Sequence, residues 1–84
     1  MAPDMEGMLD RKRARELIDI ILDEMPLELR EVFVLFELEG LSVTESANVL
    51  GLARGTASSR LTRARKVFRA GVQKHAAGVG RRGS

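Results

Sequence analysis

From Leu9 onward the apolar positions Ala14, Leu17, Ile18, Ile21, Leu22 and Met25 recur at steps of three and four, with Asp and Arg between them. That is the spacing of one helix face, and it predicts a first helix over Leu9 to Glu24. Pro26 disfavours helical geometry at Met25, while its fixed φ suits a first helical turn. A second helix is therefore predicted from Pro26 to Glu39. Its apolar set of Leu29, Val32, Phe33, Leu35, Phe36 and Leu38 wraps more than one side, which marks it as the central core helix, and Gly40 ends it. The pattern as a whole predicts an all-α domain of four helices with Leu17, Ile21, Phe33, Phe36, Leu50, Leu61 and Phe68 in one core.

The other two helices lie in Leu41 to Arg65, LSVTESANVLGLARGTASSRLTRAR. Ser42 precedes Glu45 by three residues, so its hydroxyl can accept from the Glu45 backbone N–H while the carboxylate accepts from the Ser42 N–H. This reciprocal capping box starts a helix. Val43, Ala47 and Leu50 follow at helical spacing, and Gly51 stands where a left-handed residue closes a helix without a Cβ clash. Leu52 and Ala53 make the turn. The next helix is predicted from Arg54 past Phe68. On a wheel of about 100° per residue, Ala57, Leu61, Ala64 and Phe68 fall on one side, and Gly55, Ser59, Thr62, Arg63 and Lys66 on the other. The first set packs and the second faces out. Small hydroxyl residues permit close approach to a major groove, Arg and Lys meet phosphates, and Arg forks to a guanine edge. A solvated basic helix in a bundle has the same composition, but the capped helix and glycine turn ahead of it favour a DNA-binding helix-turn-helix at the C-terminal side.

Charge sharpens this picture. The formal net charge of +2 conceals a split: all 12 acids fall at or before Glu45, against five basic residues up to position 53, a net of −7. From Arg54 onward there are nine basic residues and no acid, a net of +9. Such a chain presents a basic face to a polyanion and an acidic body to a basic partner. The cluster Arg11 to Arg15 near the start of the first helix opposes the helix dipole and is read as a solvated face.

The 84 residues make one domain, near the lower limit at which a single core holds a fold without staples. With no cysteine, disulfides and thiolate metal sites are excluded and a reducing compartment is the fitting one. His75, the single histidine, falls where the last helix is expected to fray, so it is read as a solvated surface residue without partners. There is no apolar run near the length of a membrane span and no charged-then-apolar leader, so a cytoplasmic location without membrane contact is expected. Gly51 to Gly55 lacks the strand a phosphate loop requires, and no paired carboxylates occur. The chain is expected not to be an enzyme, with no catalytic residue, no metal and no cofactor. Residues 1–8, with Pro3 and Gly7, read as a loose lead-in, residues 9–75 as the domain, and residues 76–84 as a flexible basic tail with three glycines and two arginines.

With these residues laid out, PLELREVFVLFELEGLSVTESANVLGLARGTASSRLTRAR resembles region 4 of bacterial sigma factors of the extracytoplasmic-function group. The family pattern is a Leu-Pro turn, an REV-type helix, a Gly-Leu-Ser cap and a closing Gly-Thr-x-x-Ser-Arg-Leu-x-Arg-Ala-Arg. The resemblance covers about Met25 to Arg69. It implies a domain that reads double-stranded promoter DNA at the −35 element with its last helix and docks on the β-subunit flap of the RNA polymerase core, with an anti-sigma factor as a further partner. Carried over by position, Ser58, Ser59, Thr62 and Arg63 face bases, and Arg54, Thr56, Arg60 and Lys66 hold phosphates. The chain departs from the pattern at Ser46, where Ile is usual, at Ala57, where Val is usual, and at Ser58, where a longer side chain is common. The family's other domain, which melts the −10 element, has no counterpart in the sequence, so the resemblance implies a fragment or a stand-alone domain that does not initiate transcription by itself.

Two other readings compete. The output domain of a response regulator shares the REV helix and Gly-Leu-Ser cap, though the SRLTRAR ending argues against it. A protein-interaction module, using the acidic first half and the apolar second helix toward an anti-sigma factor or the polymerase, comes from a different class.

Overall fold

The computed structural model describes the backbone of residues 5–82 and the side chains of residues 10–76. Within these residues the chain forms α1 (Met5–Glu24), α2 (Leu27–Phe33), which continues as a π-helical turn over Val34–Leu38, then α3 (Val43–Leu50) and α4 (Arg54–Arg82). The all-α expectation holds. No strand occurs among the described residues.

Each boundary has a local cause. Pro26 sits just ahead of α2 with φ −53 and ψ 141, and its carbonyl accepts from the N–H groups of Leu29 and Arg30 at 3.0 and 2.9 Å. Arg30 reaches back to α1 and donates through Nη2 to the carbonyls of Met25 and Asp23, at 3.0 and 3.3 Å. This matters because α1 has its charges the wrong way round: all its basic residues, Arg11, Lys12, Arg13 and Arg15, lie well before its last turn, which contains none, and its end carries Asp23 and Glu24. The guanidinium supplies from outside the positive charge that the carbonyl end of a helix favours.

The π turn widens the end of α2. The Glu39 N–H bonds the Val34 carbonyl at 2.9 Å, five residues back, and the Leu41 N–H bonds the Leu35 carbonyl at 3.0 Å across the left-handed Gly40 at φ 76. In the wider turn each residue advances by less than the usual 100° or so. The side chains after Phe33 are therefore rotated from their expected face. Leu38, counted in the apolar set of the second helix, is 52% exposed, while Glu37 comes within reach of α4.

The core forms where α4 packs on α1, α2 and α3 in turn. Ile21, Met25, Leu29, Val32, Phe33, Ala47, Ala57, Leu61 and Ala64 are buried, with Leu17, Phe36, Leu50 and Phe68 half-buried against them. All seven predicted core residues thus share one cluster. The Phe33 and Phe68 rings stack at 4.9 Å between centroids and 26° between planes. α4, rather than α2, is the central element.

The structure also departs from the sequence reading at both ends. α1 starts at Met5, and α4 continues as helix through Arg82 where composition predicts a loose tail. No proline lies between Met5 and Met25 or after Pro26, and once a helix is nucleated each further residue adds a hydrogen bond, so glycines at roughly 1 kcal/mol each do not stop it. Residues 1–4 of the lead-in and 83–84 of the tail lie outside the described residues. The same continuation corrects the reading of His75. Ala64, Phe68, Gly71 and His75 recur at steps of three and four on the inner side of α4, so His75 is half-buried and Nε2 meets Glu24 Oε1 at 2.5 Å instead of facing solvent without a partner.

Candidate nucleic-acid interface

The helix that carries the candidate residues is set in place by the one before it. At the start of α3 the predicted capping box is complete: the Glu45 N–H donates to Ser42 Oγ at 3.0 Å and the Ser42 N–H donates to Glu45 Oε1 at 2.8 Å. The Ser42 backbone N–H foremost, and the Ser42 side chain after it, hold the Glu45 carboxyl below its ordinary value against desolvation. At its end Gly51 is left-handed (φ 68, ψ 33), its N–H bonds the Asn48 carbonyl at 3.3 Å, and the Leu52 N–H bonds the Ala47 carbonyl at 2.8 Å. This pair of bonds is a Schellman closure. It turns the chain through Gly51, Leu52 and Ala53 directly into α4, with Leu52 half-buried against the core. The geometry is that of a helix-turn-helix.

Ala57, Leu61 and Ala64 lock the inner face of α4 to α2 and α3, and the two alanines have no exposed surface at all. The opposite face is open. Gly55, Thr56, Ser58, Ser59, Thr62, Arg63 and Lys66 are all exposed on it. Ser58, Ser59, Thr62 and Arg63, the predicted base-facing set, are therefore brought together on consecutive turns. The Thr62 hydroxyl is partly committed, because it donates to the Ser58 carbonyl at 3.1 Å.

The predicted phosphate-binding set is less uniform. Thr56 and Lys66 stand exposed without an ion pair or side-chain hydrogen bond among the described residues. Arg54 donates from Nε to Thr44 Oγ1 at 3.1 Å, tying the start of α4 to the start of α3. Arg60 turns away from the open face toward α2, where Nη2 lies 3.7 Å from Glu28 Oε2 and the side chain is 27% exposed. Sequence reasoning missed one further arginine role. Arg65 donates to Glu37 Oε1 from both Nε and Nη2, at 3.1 and 2.7 Å, and its guanidinium lies 5.0 Å from the centre of the Phe36 ring. It braces α4 against the π turn. The helical wheel carried a signal for both residues, since Arg60 and Arg65 fall off the line through Ser59, Thr62 and Lys66.

A second surface adjoins the helix-turn-helix. Val34, Leu35, Val49 and Leu50 line an apolar groove of about 320 Å³ between the π turn and α3, with Arg30 and Glu31 at its edge. Val49 is 63% exposed there.

The profile of the family described as Sigma-70, region 4 matches residues 15–67, more than half of the chain, including α3, the turn and the first half of α4. The chain belongs to this family. Over 73 residues it is also 36% identical to the ECF RNA polymerase sigma factor SigE of Mycolicibacterium smegmatis, an alignment that takes in 87% of this chain and 28% of that protein. This region 4 chain thus spans less than a third of the length of the relative it matches. The family assignment displaces the response-regulator reading, as the SRLTRAR stretch of α4 suggested. No helix among the described residues is long and apolar enough to cross a membrane.

Proposed function

We propose that the chain binds double-stranded promoter DNA at the −35 element as the region 4 domain of an extracytoplasmic-function sigma factor, and so directs RNA polymerase to promoters. The observation that carries this reading is the open face of α4. Ser58, Ser59, Thr62 and Arg63 stand side by side on it, no acid lies anywhere on that helix, and a capped and Schellman-closed α3 stands behind it. In this reading α4 lies in the major groove, and Ser58, Ser59, Thr62 and Arg63 face base edges. Arg54, Thr56 and Lys66 meet phosphates, and Arg60 reaches the duplex only by leaving Glu28. Arg63 is the strong direct reader, because a serine hydroxyl both donates and accepts and so discriminates poorly between bases. Groove shape supplies the rest, a stiff A-tract being favoured.

The apolar groove between the π turn and α3 supports a second contact, with the β-subunit flap of the polymerase core, and an anti-sigma factor would compete for the same groove. In this reading the protein works in the cytoplasm as a binding module, without catalysis, metal or cofactor.

Titration of labelled duplexes tests the DNA reading. Each phosphate neutralised by Lys or Arg contributes roughly −0.9 to the slope of log K against log salt. A steep negative slope is expected, and a flat response would leave only the groove-mediated, protein-binding role. Arg63→Ala is expected to lose about 1 to 3 kcal/mol on the cognate duplex and little on a scrambled one. An equal loss on both would make Arg63 a phosphate contact.

A further inference from the structure

We propose that Arg69 is a phosphate contact of α4, forming with Lys66 the far end of a clamp whose near end is Thr56, and that Arg60 takes no part in it. The inference rests on the DNA reading above. At about 100° per residue, Gly55, Ser59, Thr62, Lys66 and Gln73 trace one line along the outer face of α4, with Arg69 within roughly 60° of it and Arg60 some 130° away. The contacts agree with the wheel. Arg60 is paired with Glu28 on α2, and Arg65 is held by Glu37 and the Phe36 ring. Arg69 is exposed and makes no ion pair or side-chain hydrogen bond among the described residues.

The spacing fits a groove. At 1.5 Å per residue, Lys66 and Arg69 lie about 15 and 20 Å along the axis from Thr56. The candidate base readers, Ser58 to Arg63, fall between the two ends. A major groove about 12 Å wide, flanked by phosphates on each wall, is spanned at that separation by long side chains on the far end and a short hydroxyl on the near one. The turn that bears Arg69 is also anchored. On the inner side of the same stretch, Gly71 lies against Ile21 and His75 against Glu24, so Arg69 projects from a helix pinned to α1. A contact already held in place loses less freedom on binding.

The test compares salt slopes on two short labelled duplexes, one selected from a random pool by this chain and one a scramble of it. Arg69→Gln is expected to weaken both duplexes alike, severalfold, and to make the slope shallower by about one, Arg69→Lys is expected to restore it, and Arg60→Ala is expected to leave it unchanged. An Arg69→Gln slope equal to wild type would overturn the inference while leaving the DNA reading intact. So would a loss confined to the selected duplex, or a shallower slope in Arg60→Ala. Wild-type protein without salt-dependent binding would overturn the DNA reading itself, and the inference with it.

Discussion

The two halves of α4 are held by different means. The half from Arg54 to Lys66 lies on α2 and α3 through alanines that let the backbones approach closely, and its flanks are met by Glu28 and Glu37. The half from Val67 to Ala76 lies on α1. It depends on the half-buried Val67, Val72 and stacked Phe68, on one close approach, Gly71 against Ile21, and on one partly exposed cluster of Glu24, Lys74 and His75. The face proposed to read DNA is thus braced by fully buried packing, and the extension behind it by half-buried side chains and a partly exposed charged cluster. Local stability is expected to follow this gradient, highest along the alanine seam and lowest toward the far end of the helix.

The largest test breaks the core where the two halves meet. Phe33 is 4% exposed and stacks on Phe68, so Phe33→Ala is expected to cost about 3 to 5 kcal/mol, much of what a small domain has. Phe36 is only half-buried, so Phe36→Ala is expected to cost less and to loosen Arg65. Urea denaturation of both variants checks the order. A Phe33→Ala midpoint close to wild type would mean the seam is drawn in the wrong place.

Next in size is a change that sharpens the contrast by making the braced half stronger. Ser46 has no exposed surface, and its hydroxyl has no hydrogen-bond partner among the described residues. A buried unsatisfied hydroxyl costs about 1 to 3 kcal/mol, and alanine is the better helix former. Ser46→Ala is therefore expected to stabilise the domain by about 1 to 2 kcal/mol with duplex affinity unchanged. A lower urea midpoint would show that the hydroxyl is satisfied in solution.

The third test strikes the other half. A Cβ on Gly71 would lie 2.9 Å from both Cγ1 and Cγ2 of Ile21, a side chain only 1% exposed. These atoms stand close to the Ile21 backbone and have little freedom to move. Overpacking of this kind costs about 1 to 3 kcal/mol, and the helix preference of alanine over glycine returns roughly 0.5 to 1. Gly71→Ala is expected to destabilise by about 1 kcal/mol net while leaving duplex binding in place, since Gly71 is on the inner side. Amide exchange of α4 would show the loss confined to Val67 onward, and uniform loosening of the whole helix would mean its halves are not separable.

How much of this was legible follows the same division. The capping box, the Gly51 closure and the inner and outer faces of α4 are written within four residues of one another, and periodicity and cap chemistry read them directly. The Arg65–Glu37 pair depends on the rotation of the π turn, which no local pattern announces, and the Arg60–Glu28 pair on how α2 lies against α4. The partner of His75 lies 51 residues away. The inward spacing of Ala64, Phe68, Gly71 and His75 was visible, but the glycine-rich composition that follows it argued for fraying. What decided the matter was α1, whose position no stretch of α4 encodes. The role of each candidate residue on the open face is a question of DNA contact, and it rests on chemistry and the resemblance.

The smallest expected effect lies in the cluster at the end of α1. The Glu24 carboxyl is held below its ordinary value of 4.5, chiefly by the hydrogen bond with His75; desolvation opposes this, and the charges of His75 and Lys74, the latter 3.9 Å away, add to it. With the carboxylate accepting, His75 Nε2 carries the proton. A group whose pKa is lower in the folded chain binds its proton more readily when unfolded. Its contribution is therefore fully present above the ordinary carboxylate value and is lost as pH falls through the folded value. The stability difference between wild type and Glu24→Gln should be present at pH 6 and close as the pH falls below about 4.5. Because Glu24 is exposed, added salt should narrow the difference at every pH. The comparison is made by urea denaturation of both proteins across that range. A gap that stays constant, or widens with acid, would mean that Glu24 acts through packing rather than charge, and the second half of α4 would then rest on its apolar contacts, Val67, Phe68, Gly71 and Val72.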